Sequence, residues 1–162
     1  MEPNVSRPHM PDYGIKGPTE GTGLLPWSWA LERLTVSHDY WVATTWPDGR
    51  PHVTPVWGAW IDDTLWFSCG PSSRKARNLE RDPRCSIATD KPQEPVVLDA
   101  VVERVEGYEN AARFAEISTA KYEIEYSADF FAANALFSAQ PVSAFGLDES
   151  DFTGSPTKWT FS

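Results

Sequence analysis

The stretch that decides the fold is "YWVATTWPDGRPHVTPVWGAWI", residues 40–61. Its first part, "YWVATTW" at 40–46, is rich in β-branched and aromatic residues and predicts a strand. "PDG" at 47–49 is a hairpin-turn signal, and "RPHVTPVWGAWI" at 50–61 predicts the returning strand. Because Pro55 removes one donor from the hydrogen-bond ladder, we expect this second strand to lie at a sheet edge or to contain a bulge.

Similar patterns recur along the rest of the chain. They predict further strands at 64–69, 85–90, 95–107, 142–147 and 157–161, and helices at 27–36, 72–82, 108–120 and 128–138. Neighbouring hairpins argue against a long parallel sheet. The sequence therefore predicts a mainly β fold, an antiparallel β-barrel with flanking helices.

The first residues have a different composition. Residues 1–23 are rich in proline and glycine and lack apolar periodicity, which predicts a flexible N-terminal arm. Residues 24–162 are then the folded domain.

Composition and charge exclude several classes of function. The formal net charge of -9 argues against a general binder of nucleic acid or of anionic membranes. No apolar run approaches the roughly 20 residues of a membrane span, and the N-terminus lacks a signal-peptide pattern. The two cysteines, Cys69 and Cys85, form no CxxC motif, so we expect reduced thiols, no metal site and a cytoplasmic protein.

One short segment is strongly basic within this acidic chain. "GPSSRKARNLERDPR" at 70–84 predicts a helix whose first turn carries Arg74 and Lys75, at the end where the helix dipole is positive. Together with the hydroxyls of Ser72 and Ser73, this pattern is typical of an anion site, most often for phosphate. Arg77, Arg81 and Arg84 are expected to form a solvated face paired with Glu80 and Asp82.

The hairpin and the basic helix together are recognisable. "WVATTWPDGRPHVTPVWGAW" followed by "LWFSCGPSSRKARNLERDPR" closely resembles the split-barrel, FMN-binding family of pyridoxamine-phosphate-oxidase-like proteins, in particular its flavin/deazaflavin oxidoreductase branch. "AKYE" at 120–123 and "PTKWTF" at 156–161 resemble the same branch. The resemblance implies a split β-barrel that forms a homodimer with cofactor sites at the interface.

The resemblance also implies which residues bind the cofactor. The phosphate would lie on Ser72, Ser73, Arg74 and Lys75, with Asn78 nearby. The ring system would follow the second strand at Val53, Thr54, Pro55, Val56 and Trp57, and Trp159 would approach from the partner chain. No catalytic residue is assigned, because Tyr122 and Tyr126 are expected to serve packing or surface roles.

Two cofactors fit a site for a phosphate and a tricyclic ring: the deazaflavin F420 and FMN. We favour F420, because Arg77 and Arg81 could bind its anionic tail. The chain ends "PTKWTFS", without the Arg/His motif of true pyridoxamine-phosphate oxidases, so oxidation of that vitamer is not expected. The predicted activity is hydride transfer from reduced F420 to an activated double bond of a small molecule. The alternatives are an FMN-dependent reductase or oxidase and a non-catalytic flavin-binding or storage protein.

Overall fold

The computed structural model describes residues 2–162, which form nine strands and four α-helices. The strands are β1 (Asn4–Ser6), β2 (Tyr40–Thr45), β3 (Pro51–Val56), β4 (Gly58–Ile61), β5 (Thr64–Cys69), β6 (Arg84–Thr89), β7 (Val96–Arg104), β8 (Ala135–Gly146) and β9 (Thr157–Thr160). The helices are α1 (Trp27–Val36), α2 (Arg74–Arg81), α3 (Tyr108–Tyr122) and α4 (Ala128–Ala132).

All strand pairs are antiparallel, and the order is β1-β9-β8-β7-β6-β2-β3, with β5 joining β4 to β8. The long strand β8 pairs with β7 along its length, with β5 through its first half and with β9 through its second. This branching at β8 gives the split barrel that the sequence predicts. Pro141 lies inside β8 at the register shift opposite Asp99 and Ala100, where a missing donor is tolerated.

The predicted hairpin is confirmed, with one correction. β2 and β3 pair in register from Tyr40 opposite Val56 to Thr45 opposite Pro51, and β3 is an edge strand, as Pro55 requires. The returning segment is not one strand, however. It breaks at Trp57 into β3 and β4, and β4 leaves β2 to pair with β5.

The helix predicted at 128–138 is too long. α4 ends at Ala132, and β8 begins at Ala135. Alanines favour a helix locally, but Leu136 and Phe137 pair with Ser68 and Phe67 of β5. Sheet pairing therefore overrides the local preference.

The segment predicted to be a flexible arm contains regular structure. β1 pairs with β9, and the Arg7 guanidinium donates to Pro156 O at 2.6 Å and to Gly17 O at 2.8 Å. Thr22 donates from both its amide and its hydroxyl to Asp151. Residues 4–6 are therefore part of the sheet, whereas the flexible arm at residues 1–23 and the domain boundary at residue 24 stay predictions.

Candidate functional site

The start of α2 forms as its sequence predicts. Ser73 has an extended backbone, and its hydroxyl accepts a hydrogen bond from Ala76 N at 3.2 Å, which caps the helix. Ala76 and Leu79 are buried and fix the inner face. The geometry of a helix start leaves the amides of Arg74 and Lys75 without intrahelical acceptors.

Lys75 is the most unusual charge in this region. Its side chain is largely buried, with 8% of the residue exposed. Burial lowers the pKa of Lys75, and the neighbouring Cys69 opposes that change. None of the ion pairs among residues 2–162 includes Lys75. A largely buried ammonium group beside free backbone amides is suited to bind an anion.

The arginines of α2 are divided between different partners. The Arg74 guanidinium lies over the Trp46 ring at 4.0 Å from its centroid. Arg81 donates to Thr45 O and Trp46 O at 2.7 and 3.1 Å, so it holds the hairpin and is not paired with Glu80. Arg84 pairs with Asp82 at 2.7 Å on the surface, as expected.

The side chains of β3 alternate between two faces of the sheet. Val53 and Pro55 are exposed, whereas Thr54 is half-buried and Val56 is buried. The Thr54 hydroxyl is shielded from solvent and has no hydrogen-bond partner. The five predicted ring-binding residues therefore do not share one side-chain face, and a ring along β3 would meet Val53 and Pro55 together with exposed backbone of this edge strand.

Trp57 lies at the break between β3 and β4, against α3. Its ring stacks on Tyr122, with centroids 4.3 Å apart and planes 8° from parallel. The Tyr122 hydroxyl accepts from Gly58 N at 2.8 Å and donates to His38 O at 2.7 Å. Burial raises the pKa of Tyr122 to about 12, so this phenol is neutral at physiological pH.

A cavity of about 280 Å³ lies between the end of β5, α3 and α4. We call it the aromatic pocket; its lining is Trp57, Ser68, Cys69, Gly70, Phe114, Ser118, Tyr122, Tyr126, Phe130, Phe131 and Asn134. Gly70 also begins the loop that leads into α2. The pocket therefore lies between the end of β3 and the start of α2.

Two predicted site residues have other places in the structure. Asn78 is 1% exposed, and its amide donates to Thr44 Oγ1 at 3.0 Å, so it faces the core behind the helix start. Trp159 has no exposed surface and stacks on Trp29 with centroids 6.4 Å apart. A ring enclosed by its own chain is not available to a cofactor of the partner chain, so this expectation is corrected.

The family model described as pyridoxamine 5'-phosphate oxidase matches residues 31–144, more than half of the sequence. The chain belongs to this family. The split-barrel fold agrees with it, and at the level of the family the chain is a flavin-type oxidoreductase.

Solved structures of similar fold extend this comparison. The conserved hypothetical protein Rv2991 from Mycobacterium tuberculosis is 26% identical over 79% of this chain and 88% of that one, with a TM-score of 0.70. A structure named F420 reductase is 24% identical, covering 70% of this chain and 93% of that one, with a TM-score of 0.59. A NimC/NimA family protein from Clostridium acetobutylicum is 16% identical over 83% and 92%, with a TM-score of 0.65. No curated protein matches the chain in sequence.

The residues at α2 fit the phosphate of a flavin of this family. Free amides, the hydroxyls of Ser72 and Ser73, and the unpaired ammonium of Lys75 form a donor set without an opposing carboxylate. Within residues 2–162, no group of three or more His, Cys, Asp or Glu side chains could hold a metal ion. Over the same residues, no helix has the length and apolar character needed to cross a membrane.

Sequence reasoning missed a partly buried lysine on α3. Lys121 Nζ donates to Tyr40 Oη and to Gly58 O, both at 2.8 Å, and Tyr40 in turn donates to Leu34 O. Burial lowers the pKa of Lys121 to about 8. The "AKYE" segment contained the only signal, and its role depends on contacts with Tyr40 and Gly58, which are distant in sequence.

Proposed function

We propose that the protein is an oxidoreductase that uses reduced F420 to reduce an activated double bond of a small molecule. The observation that carries the proposal is the junction of two features. The start of α2 offers donors for a phosphate, and the aromatic pocket opens beside it at Gly70. Phosphate binding at one end would place a flavin-type ring toward β3 and Trp57.

The path between these ends is continuous. The Arg74 guanidinium lies over the Trp46 ring, and the centroid of this ring is 6.0 Å from that of the His52 ring at the start of β3. β3 then runs to Trp57, which lines the aromatic pocket. Free backbone groups of an edge strand can bond a ring edge. This arrangement supports binding of the ring along Val53–Trp57.

This placement suggests separate roles for the cofactor and for the side chains around it. When bound, the reduced cofactor supplies a hydride from its central ring carbon. Ser73 and Lys75 would fix its phosphate, and Trp57 would limit water above the ring. The proton that completes reduction of the double bond would come from solvent water.

The preference for F420 depends on cations beyond the phosphate. Arg77 is exposed on α2, and the exposed Arg50 lies over the same Trp46 ring as Arg74 while it pairs with Asp48 at 2.8 Å. A longer anionic tail would pass these two arginines. The fold similarity to the structure named F420 reductase supports the same preference.

FMN is the second candidate, and a specific observation favours it. Arg74 and Arg81 are already engaged with Trp46 and with hairpin carbonyls, which leaves fewer cations for a tail. A non-catalytic flavin-binding protein is the third candidate, because the aromatic side chains of the pocket could leave too little room for a substrate beside the ring.

We also propose that the protein works as a homodimer through the outer face of its sheet. Trp41, Val53 and Val142 are 47%, 53% and 48% exposed on this side. A groove of about 680 Å³ crosses the same face at Ala43 and Val101. Light scattering should give twice the 18.1 kDa chain mass, and Val53→Asp should shift it toward the monomer. A monomeric wild-type protein would overturn this part of the proposal.

Turnover tests the activity itself. Under anaerobic conditions, the protein is mixed with chemically reduced F420 and 2-cyclohexen-1-one, and oxidation of the coenzyme is followed optically. Enone-dependent oxidation supports the proposal. Binding of reduced F420 without oxidation by a panel of enones and quinones would favour the non-catalytic alternative.

A further inference from the structure

The aromatic pocket carries no charge at neutral pH. None of its side chains is acidic or basic by type, and burial raises the pKa of Cys69, and that of Tyr122 to about 12. An ionised group brought in among the rings of Phe114, Tyr126 and Phe131 would lose hydration without gaining a partner from the lining, because the cations Lys75 and Arg104, which act on Cys69, are not among the lining residues. The pocket therefore selects against charged ligands, including phosphate esters.

The pocket has a shape for flat rings. Trp57 and Tyr122 stack in parallel, and Tyr126 meets Trp57 edge-on with centroids 6.3 Å apart. Phe114 and Phe131 close the inner side with centroids 4.7 Å apart. An apolar cavity of about 150 Å³ accepts benzene, so a cavity of about 280 Å³ has room for two fused rings.

A buried polar group in the pocket, the Ser118 hydroxyl, has no hydrogen-bond partner. Ser118 is 3% exposed, lies on α3 and lines the cavity, and its hydroxyl makes no hydrogen bond. An unsatisfied buried hydroxyl costs free energy that a ligand acceptor can recover. By contrast, the Tyr122 hydroxyl and the Asn134 amide already have partners.

We propose that the aromatic pocket binds an uncharged two-ring aromatic molecule and that Ser118 recognises it by donating a hydrogen bond to its carbonyl oxygen. The molecule is the hydride acceptor, a role that rests on the proposed function, but its binding does not require the cofactor. The pocket thus assigns a substrate class that differs from the phosphorylated vitamer in the name of the family.

Three probes with one ring skeleton test the proposal in the full-length protein without cofactor. They are 2-acetylnaphthalene, naphthalene-2-carboxylate and naphthalene, and their affinities are measured by calorimetry. We expect 2-acetylnaphthalene to bind at least 10-fold more tightly than the carboxylate. Equal or tighter binding of the carboxylate would overturn the proposal.

Variants locate the site. Ser118→Ala should weaken 2-acetylnaphthalene by about 3- to 10-fold and leave naphthalene unchanged, while Ser28→Ala, at an exposed position of α1, should change neither. Phe130→Lys, at a 51% exposed position of the pocket rim, should reverse the preference toward the carboxylate. An unchanged affinity for the ketone in Ser118→Ala, or an unchanged preference in Phe130→Lys, would contradict the assignment. Cofactor binding is measured separately. A failure of the ketone to bind would therefore leave the proposed F420-dependent activity intact, and a failure of F420 to bind would leave the assignment of the aromatic pocket intact.

Discussion

The Trp57 ring lies parallel to the Tyr122 ring at a centroid distance of 4.3 Å, and the Tyr122 hydroxyl bonds the backbone of the next residue, Gly58. One tyrosine on α3 therefore fixes both the side chain at the end of β3 and the backbone at the start of β4. The break between these strands, which shapes the aromatic pocket, depends on this contact.

Replacing Tyr122 by Phe should keep the ring stacking and remove the hydroxyl. Gly58 N–H is then buried without its partner, so we expect the free energy of unfolding to fall by about 1–3 kcal/mol. Urea denaturation measures the change. Tyr126→Phe, in the same aromatic cluster, is the matched control and should stay within about 0.5 kcal/mol of wild type. Equal stability of Tyr122→Phe and wild type would show that the hydroxyl does not hold the bend.

Gly58 has no room for a side chain. An added Cβ would lie 2.9 Å from Trp66 O and 3.2 Å from the Tyr40 ring. We expect Gly58→Ala to lower the free energy of unfolding by about 1–3 kcal/mol through overpacking. In Gly70→Ala the nearest atom is 4.0 Å away, so this control should be close to neutral. An equal loss of unfolding free energy in the two variants would contradict the close packing around Gly58.

Lys121 should make the free energy of unfolding depend on pH in the alkaline range. Its pKa is lowered by burial from 10.5 to about 8 in the folded chain. Between these pH values the unfolded chain still binds a proton that the folded chain has released, so stability rises with pH. The gap between the two pKa values corresponds to at most about 3 kcal/mol.

The Lys121→Met variant isolates this contribution. The unfolding free energy of wild type minus that of the variant should increase from pH 7 to pH 10, measured by urea denaturation at each pH. Taking the difference cancels the titration of Cys69, Cys85 and the tyrosines, which both proteins share. A difference that stays constant over this range would show that the pKa of the partly buried Lys121 is not lowered in the folded chain.

Lys75 should matter for the cofactor and not for folding. Lys75→Met removes one charge-assisted bond to the phosphate, so we expect a loss of cofactor affinity of about 10- to 100-fold. The free energy of unfolding should not fall, because a largely buried ammonium without a carboxylate is removed. Arg84→Met, which removes a surface pair with Asp82, is the control and should bind cofactor like wild type. Undiminished affinity in Lys75→Met would place the phosphate elsewhere.

Local sequence signals predicted the hairpin and the basic helix well. "PDG" fixes the β2–β3 turn, Pro55 requires an edge, and Ser73 with Pro83 bounds α2, so each feature depends on a few adjacent residues. The start of β8 could not be read in this way, because its strand state depends on pairing with β5.

Long-range packing also decided the site residues that sequence missed or misplaced. Trp159 was expected at the cofactor, but the aromatic residues around it, Trp27 and Trp29, enclose it in the core. The roles of Lys121 and Ser118 depend on what α3 packs against, and helical periodicity alone does not specify that.

We propose that the start of α2 binds the phosphate of a deazaflavin whose ring reaches the aromatic pocket. Titration of the purified protein with F420 and with FMN at one salt concentration, followed by fluorescence, tests it most directly. We expect tight, saturable binding of F420 and weaker binding of FMN. Tighter binding of FMN would contradict the choice of cofactor, and binding of neither would contradict the claim itself.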